Sequence, residues 1–423
     1  MNFIDEVVIE GFWGDRVIKF ELNDDINFII GVNGSGKTTM VNLIVAALMV
    51  DVIELDRLDF TKITIKLKSR HSRKKPSVII SKEGDDYHIV SYIIKESATD
   101  KGEIYSLDNV SMNNFRSNPR KVSGLNRNRF FSKQIKLELT KLVNVSWLSV
   151  HRASNEIYAL DENEFYESTV DKKLQELSNR MVRYFSTLGK AGSELLEAFQ
   201  KTVFLSMLHR KGNKPLFSVA KEIDIEAEKA ALEGIFEQFR VPPKDFQNRL
   251  DSHFDSLSKA KEKLINSPEV LTTPDVSVLI GTERIDYIVE EWNKLLEKRR
   301  QIFEPRDTFI SIVNSMFIRK EILINSQNEL QLITQSGKNL PLSSLSSGEK
   351  QLLIVLGEAL LQEKNNWVYI ADEPELSLHV LWQEKLVENL RAINPSAQIL
   401  FATHSPDVVS TFGSKVFDMA EVV

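Results

Sequence analysis

Apolar and polar residues alternate in two short runs near the start of the chain, residues 6–12 (EVVIEGF) and 17–22 (VIKFEL). Period-two alternation sends one face to a core and the other to water, so these runs predict a half-buried antiparallel strand pair. The next run, residues 26–30 (INFII), is mostly apolar and predicts a buried central strand that runs straight into Gly31. Residues 37–50 (KTTMVNLIVAALMV) contain no breaker and are long enough for a buried helix. Further strands are expected at 62–68, 78–81 and 88–94, with turns at Lys74-Lys75-Pro76 and Glu83-Gly84-Asp85-Asp86. This part reads as a β-rich lobe around the first helix.

The pattern then changes twice. Residues 113–136 carry seven basic side chains and no acidic one, with Pro119, Gly124 and several Asn and Ser, which predicts a mobile basic loop before a buried strand at 143–150. Farther on, Val170, Leu174, Leu177, Met181 and Tyr184 fall at alternating spacings of four and three, and Ile285, Ile288, Trp292 and Leu295 at three, four and three. Each set predicts a helix with one apolar seam. Residues 219–239 and 246–264 between them are also helical in pattern, with breaks at Pro242-Pro243, Pro268 and Pro274. The whole reads as a short helical arm that leaves a globular head and returns, too short for an extended rod. Strands resume at 321–325 and 329–334, and the remainder alternates loop, helix and strand in the α/β manner.

A length of 423 residues and 42% hydrophobic content suit two or three domains with a sizeable core. The net charge of −6 excludes a general polycation, so any nucleic-acid contact must come from a local patch. The absence of cysteine removes disulfides, thiolate nucleophiles, cysteine zinc sites and iron–sulfur clusters, and suits a reducing cytoplasm. No run is long and apolar enough to span a bilayer, and the N-terminus lacks the basic head and apolar stretch of a signal peptide. A cytoplasmic location without membrane contact is expected.

Three segments carry chemistry. Gly31-Val32-Asn33-Gly34-Ser35-Gly36-Lys37-Thr38 matches G-x-x-x-x-G-K-[ST], between a predicted strand and a predicted helix. In such a loop, backbone amides and the helix N-terminus face phosphate oxygens, the lysine reaches the β and γ phosphates, and the hydroxyl after it ligates Mg²⁺. Asn33, Gly34, Ser35, Gly36, Lys37, Thr38 and Thr39 are therefore candidate ATP ligands, and Thr38 a candidate Mg²⁺ ligand. Residues 367–374 (WVYIADEP) form an apolar strand ending in two carboxylates: Asp372 is the candidate for the Mg²⁺ water shell, and Glu373 for polarising the attacking water. Residues 345–351 (LSSGEKQ) open a helix, so Ser346, Ser347 and Gly348 offer a second anion-binding end. A plain N-cap by Ser346 or Ser347, with Glu349 in the first turn, explains the same residues.

Taken in order, GVNGSGKT, LSSGEKQ, the strand ending in DEPE, and Ala402-Thr403-His404-Ser405-Pro406 resemble the motifs of the ATP-binding-cassette ATPases. The resemblance implies an α/β head with a mixed sheet and a phosphate-loop core. It also implies two heads that sandwich two ATP molecules, with Ser346, Ser347 and Gly348 acting on the partner's nucleotide. Leu376-Ser377-Leu378 would cross the dimer interface, and His404 would be the switch histidine at the γ-phosphate. More than three hundred residues separate Lys37 from Ser346, which resembles the soluble RecF-like, SMC-like and OLD-type branch and not the transporters. The implied division is residues 1–155 and 307–423 for the two halves of the head and 156–306 for a partly coiled-coil arm.

Departures from that branch are local. Gly11 and Trp13 stand where its first turn carries Asn and a basic residue, and His151-Arg152 stand where a glutamine follows the strand, Gln134 coming too early. The organisation is most similar to the stand-alone ATPase subunits of bacterial anti-phage systems, the AriA type of PARIS systems first and the Septu type next. This likeness implies a homo-oligomeric ATPase that restrains or releases a separately encoded effector, a Toprim-type nuclease, on a phage trigger. The alternative is a RecF-like repair ATPase clamping duplex DNA, with residues 66–75 and 116–136 as phosphate contacts and Phe130-Phe131 for stacking. Charge runs of this kind also serve as solvated or protein-docking surfaces.

Overall fold

The computed structural model describes residues 1–70, 72–84, 89–107, 122–148, 169–208 and 224–422. In chain order the first elements are β1 (Asn2–Phe12), β2 (Arg16–Glu21), β3 (Ile26–Ile30), α1 (Lys37–Met49), α2 (Val52–Arg57), β4 (Lys62–Ser69), β5 (Ser77–Glu83), β6 (Ile89–Lys95), β7 (Glu103–Leu107), α3 (Val122–Leu142) and β8 (Val145–Leu148). The helical middle comprises α4 (Thr169–Ser206), α5 (Ile225–Gln238), α6 (Pro243–Asn266) and α7 (Thr273–Met316). The chain continues with β9 (Lys320–Ile324), β10 (Leu330–Thr334), β11 (Asn339–Leu340), α8 (Ser347–Leu360), β12 (Val368–Asp372), α9 (Val380–Ile393), β13 (Gln398–Ala402), α10 (Pro406–Val409), β14 (Val416–Asp418) and α11 (Met419–Val422).

Two compact units result: residues 1–184 with 305–423, and residues 185–304. The first holds an antiparallel six-stranded sheet in the order β2-β1-β4-β5-β6-β7 and a five-stranded sheet in the order β14-β3-β13-β12-β8, every pair of which is parallel. A β11-β10-β9 sheet completes it. Strands buried on both faces must be mostly apolar, and β3 (INFII) and β13 (QILFA) are, each with one buried amide side chain, Asn27 and Gln398. Helix α1 belongs to the core shared by the two large sheets: Met40, Val41, Leu43, Ile44, Ala47 and Leu48 pack with Ile63, Ile80 and Tyr92 of the first and Ile370 and Leu400 of the second. Each such fully buried aliphatic side chain contributes about 1.5–3 kcal/mol. Buried Gln398 ties the sheets directly, donating to the carbonyls of Ile4 (2.8 Å) and Asn23 (2.7 Å) and accepting from the Ile4 amide (2.8 Å).

Helix α4 lies along α8 within this unit as far as Tyr184. Gly357 permits the approach, because a methyl group there would meet Leu177 at 2.8 Å and Met181 at 3.0 Å. Lys350 pairs with Asp171 (2.7 Å) and Arg180 with Glu358 (2.6 Å) on either side of that contact.

The second unit is helical. Phe246, Leu250, Phe254, Leu257, Ala260 and Leu264 of α6 form one apolar face with Leu279. Phe199, Ile235, Trp292 and Leu295 form a second cluster. Pro243 opens α6 at its first turn, where a missing amide costs nothing.

The expected basic loop at 113–136 is corrected in its second half. Residues 122–142 are helical because Ile135, Leu139 and Leu142 recur on one face and bury in the main core, with Phe131 partly buried beside them. Residues 113–121 lie outside the described residues, as do 149–168 with His151 and Arg152. Helix α2 and strand β7 were not foreseen; Asp51 caps α2 by accepting from the Glu54 amide, and Lys82 donates to the carbonyls of Leu55, Asp56 and Leu58 at its other end.

Candidate active site

Three strands of the parallel sheet finish along one edge. Asp372 lies in register with Ala402, and Ala402 with Ile29, so the segments that leave β12, β13 and β3 emerge side by side. The Glu373 amide donates to the Ala402 carbonyl at 2.8 Å and the Thr403 amide to the Ile29 carbonyl at 3.1 Å. Residues 31–38, the pair Asp372 and Glu373, and the Thr403-His404 turn thus become neighbours. The C-terminal edge of a parallel sheet is where α/β folds assemble ligand sites.

The loop after β3 is held in left-handed turns, with φ of 149° at Gly31, 81° at Gly34 and 94° at Gly36. Gly36 precedes the first turn of α1, and a methyl there would meet Phe12 at 2.9 Å and Trp13 at 3.0 Å. Lys37 is 5% exposed and curls back, donating to the carbonyls of Gly31 (2.8 Å) and Val32 (3.2 Å). Burial pushes its amine below the usual value, against the charges of Glu373, Asp372 and Asp418. Ser35 Oγ is buried with no hydrogen-bond partner among the described residues. An orphaned hydroxyl costs about 1–3 kcal/mol, so this loop has a buried cation and a free hydroxyl for an anion to satisfy. Asn33 is exposed, and Thr38 and Thr39 are half-buried in the first turn of α1.

Among the described residues no group of three or more His, Cys, Asp or Glu could hold a metal. Thr38 and the carboxylate of Asp372 are the oxygen donors here that would suit Mg²⁺, which takes few protein ligands and completes its shell with phosphate oxygens and water.

Glu373 occupies the left-handed region at φ 49°, a conformation that costs a non-glycine residue about 1–3 kcal/mol. Its Oε1 stands 3.8 Å from His404 Nε2, and both side chains are a little over one-third exposed.

Ser346, Ser347 and Gly348 are built differently. Ser346 is the N-cap of α8 in a complete capping box: its hydroxyl accepts from the Glu349 amide at 3.3 Å, and Glu349 Oε2 accepts from the Ser346 amide (2.8 Å) and hydroxyl (2.9 Å). Lys320 donates to both Glu349 oxygens, at 3.0 and 2.9 Å. Burial alone would raise the Glu349 carboxyl, but the bonds from Lys320 and Ser346 hold it below the usual range. Ser346 and Ser347 remain exposed. Gly348 abuts the Leu376-Ser377-Leu378 loop so closely that a methyl would lie 2.4 Å from the Ser377 carbonyl. Gln351 donates to the Pro374 carbonyl at 2.6 Å. Ser346 makes no hydrogen bond to the phosphate-loop residues of its own chain among the described residues.

Three residues of this edge carry no role in the sequence reading. Asp418, in register with Ile30, adds charge near Lys37. Trp13, 43% exposed, packs against Phe12 beside Gly36 with ring centroids 4.8 Å apart and planes tilted by 31°. Glu375 is buried beneath the histidine turn. No local pattern marks Asp418; Glu375 closes the DEPE run, and Trp13 stands between Gly11 and Gly14.

A family model described as AAA ATPase domain (AAA_15) matches residues 3–409. The chain is 27% identical over 137 residues to the Retron Vc95 probable ATPase of Vibrio cholerae serotype O1 biovar El Tor, a match covering 30% of this chain and 26% of that protein. It is 34% identical over 91 residues to the DNA double-strand break repair Rad50 ATPase of Saccharolobus solfataricus, covering 20% of this chain and 10% of the relative. The matched parts are thus about a quarter and a tenth of those relatives' lengths. Among solved structures, an Smc head domain with an extended coiled coil, bound to the C-terminal domain of ScpA and derived from Pyrococcus furiosus, is similar over 99% of this chain and 93% of that one, with 11% identity and a TM-score of 0.42. The SmcHead bound to the C-winged helix domain of ScpA is similar at 11% identity and a TM-score of 0.43, over 98% and 94% of the two chains.

Proposed function

The chain belongs to the AAA ATPase domain family, and from that premise we propose that it binds and hydrolyses ATP as the regulatory ATPase of an anti-phage defence system. The observation that carries the ATPase reading is the convergence of the phosphate loop, Asp372, Glu373 and His404 on one sheet edge. Lys37 leaves the Gly31 and Val32 carbonyls for the β and γ phosphates, and the loop amides and Ser35 hydroxyl take the remaining phosphate oxygens. Thr38 and Asp372 would hold Mg²⁺, which neutralises phosphate charge when bound. Glu373 orients and polarises the attacking water, and His404 sits beside it to sense the γ-phosphate.

Two copies close head to head, so that Ser346, Ser347 and Gly348 of each face the triphosphate of the other. The exposure of Ser346 and Ser347 on a capped, rigid helix end supports this, because a preorganised N-terminus is ready to meet an anion. In this reading the two halves of the head are residues 1–155 and 307–423 and the insertion is 156–306, of which α4 up to Tyr184 packs within the head's own compact unit.

The defence reading rests on the match to a probable ATPase of a retron and on likeness in organisation to the AriA and Septu types. In it, ATP-driven closure holds or releases a separate effector, a Toprim-type nuclease. The Rad50 match favours a second reading, a clamp on duplex DNA. Against that reading, Lys66, Lys68 and Arg70 of the basic run are already paired with Glu6, Asp5 and Asp24. The test is ATP turnover by the purified protein with and without duplex DNA, and with and without the product of the adjacent gene. Control by the gene product with no response to DNA supports the regulator; DNA stimulation that falls steeply with salt supports the clamp.

A further inference from the structure

Glu375 closes the Asp372-Glu373-Pro374-Glu375 run, yet it faces away from the role its neighbours have. It is 6% exposed. Its Oε1 accepts from the Thr403 hydroxyl and, at 3.3 Å, from the His404 amide, while Oε2 is buried with no hydrogen-bond partner among the described residues. Thr403 is wholly buried, and its hydroxyl also accepts from the Ser405 amide at 3.0 Å. A buried acid with an unsatisfied oxygen and no cation bonded to it is costly. Burial raises its carboxyl above the ordinary range, against the bonds from Thr403 and His404. A threonine turn needs no carboxylate to be stable, so the cost calls for a return elsewhere.

That return lies in the three ties on one short segment. The Glu373 amide is bonded to Ala402 on β13, the Pro374 carbonyl to Gln351 on α8, and Glu375 to the turn that carries His404. Between the first and last ties stand Glu373 and His404, 3.8 Å apart. We propose that Glu375 is the positioning residue of the hydrolytic pair, fixing the Thr403-His404 turn so that the imidazole stays beside Glu373. This rests on the reading of Glu373 and His404 as the pair that acts on water and γ-phosphate. In this role Glu375 acts through the turn, by way of Thr403 and the His404 amide.

The experiment compares Glu375→Ala, Glu375→Gln and Thr403→Val with His404→Ala in the full chain, measuring ATP affinity, kcat and the NMR shifts of the His404 imidazole. Glu375→Ala is expected to leave ATP affinity within about twofold and to lower kcat by about 10- to 100-fold, the loss expected when reacting groups are slightly misplaced. Glu375→Gln keeps an oxygen toward Thr403 and His404 and restores most of kcat. Thr403→Val reproduces the loss without the acid being touched, and adds nothing to it in the double variant. The His404 signals shift in Glu375→Ala and Thr403→Val and stay near wild type in Glu375→Gln. If Glu375→Ala instead lowers the fraction of protein that binds ATP, with kcat per bound ATP and His404 signals unchanged, the residue is only structural and the proposal is overturned. Should Glu375→Ala not fold, unchanged kcat and His404 signals in Thr403→Val overturn it equally. Wild-type turnover by His404→Ala sinks the reading of the pair itself, whereas slow His404→Ala with fully active Thr403→Val and Glu375→Ala sinks this proposal alone.

Discussion

His404 Nε2 lies 3.8 Å from Glu373 Oε1, beyond a direct hydrogen bond but close enough for one atom to be held by both. Glu373→Gln is therefore expected to bind ATP with unchanged affinity and to hydrolyse it about 100-fold or more slowly, since the base is removed and the phosphate contacts are not. Turnover assays with a parallel binding titration check this. The same variant should accumulate as an ATP-bound dimer in size-exclusion light scattering.

Lys37 is the buried cation of the loop, tied to its own backbone carbonyls. Lys37→Ala should lose ATP binding by at least about 100-fold, the factor that ~2.7 kcal/mol of lost charge-assisted bonding produces. Isothermal titration calorimetry reads it directly. Retained affinity would place the phosphates elsewhere.

Ser346 is exposed at the N-terminal end of α8, and among the described residues its side chain bonds only within the capping box. Ser346→Arg should leave ATP binding by the single head intact and abolish dimerisation-dependent turnover. Mixed with Lys37→Ala protein it should regain activity, because one composite site then has an intact lysine and an intact serine. No recovery on mixing would mean that the serine acts within its own chain.

Gly348 packs against backbone, not against a yielding side chain. Gly348→Ala must push the Ser377 segment aside, and overpacking of this kind costs about 1–3 kcal/mol. A lower melting temperature, with faster amide exchange along 376–378, is the expected result.

In the arm, buried Glu228 shares a hydrogen bond with Asp286, and burial, with Asp286 and Asp224 adding to it and Lys261 opposing, pushes its carboxyl up to about 8. A carboxyl raised in the folded state holds its proton there after the unfolded chain has lost it. Stability is therefore complete below about pH 4.5 and declines as pH climbs through the folded value near 8. Glu228→Gln should remove that decline and stabilise the protein at pH 8 by about 1 kcal/mol, well under the full linkage value because solvent still screens the pair. Thermal melts of both proteins at pH 5 and pH 8 test the sign.

Much of the head was readable because its signals are local. Strand β3, the glycine loop and α1 are contiguous, and so are β12 and its two carboxylates. The capping box at Ser346 and Glu349 was visible as a spacing of three residues. The helix over 122–142 was not legible, since its asparagines and basic residues mask an apolar stripe that only the core of the lobe rewards. Asp418 and Glu375 were hidden for another reason: their neighbours at Lys37 and Thr403 are set by strand register across the chain, which no window of sequence contains.

The order β14-β3-β13-β12-β8 puts the phosphate-loop strand, Ile26–Ile30, between two strands that come far later in the chain, Gln398–Ala402 and Val416–Asp418. At about 5–20 residues per second a ribosome leaves β3 without either neighbour for tens of seconds. A nascent chain therefore has no working nucleotide site, and INFII must be shielded from other chains until β13 and β14 arrive. Removal of β13 and β14 should yield aggregation and not a weakened enzyme.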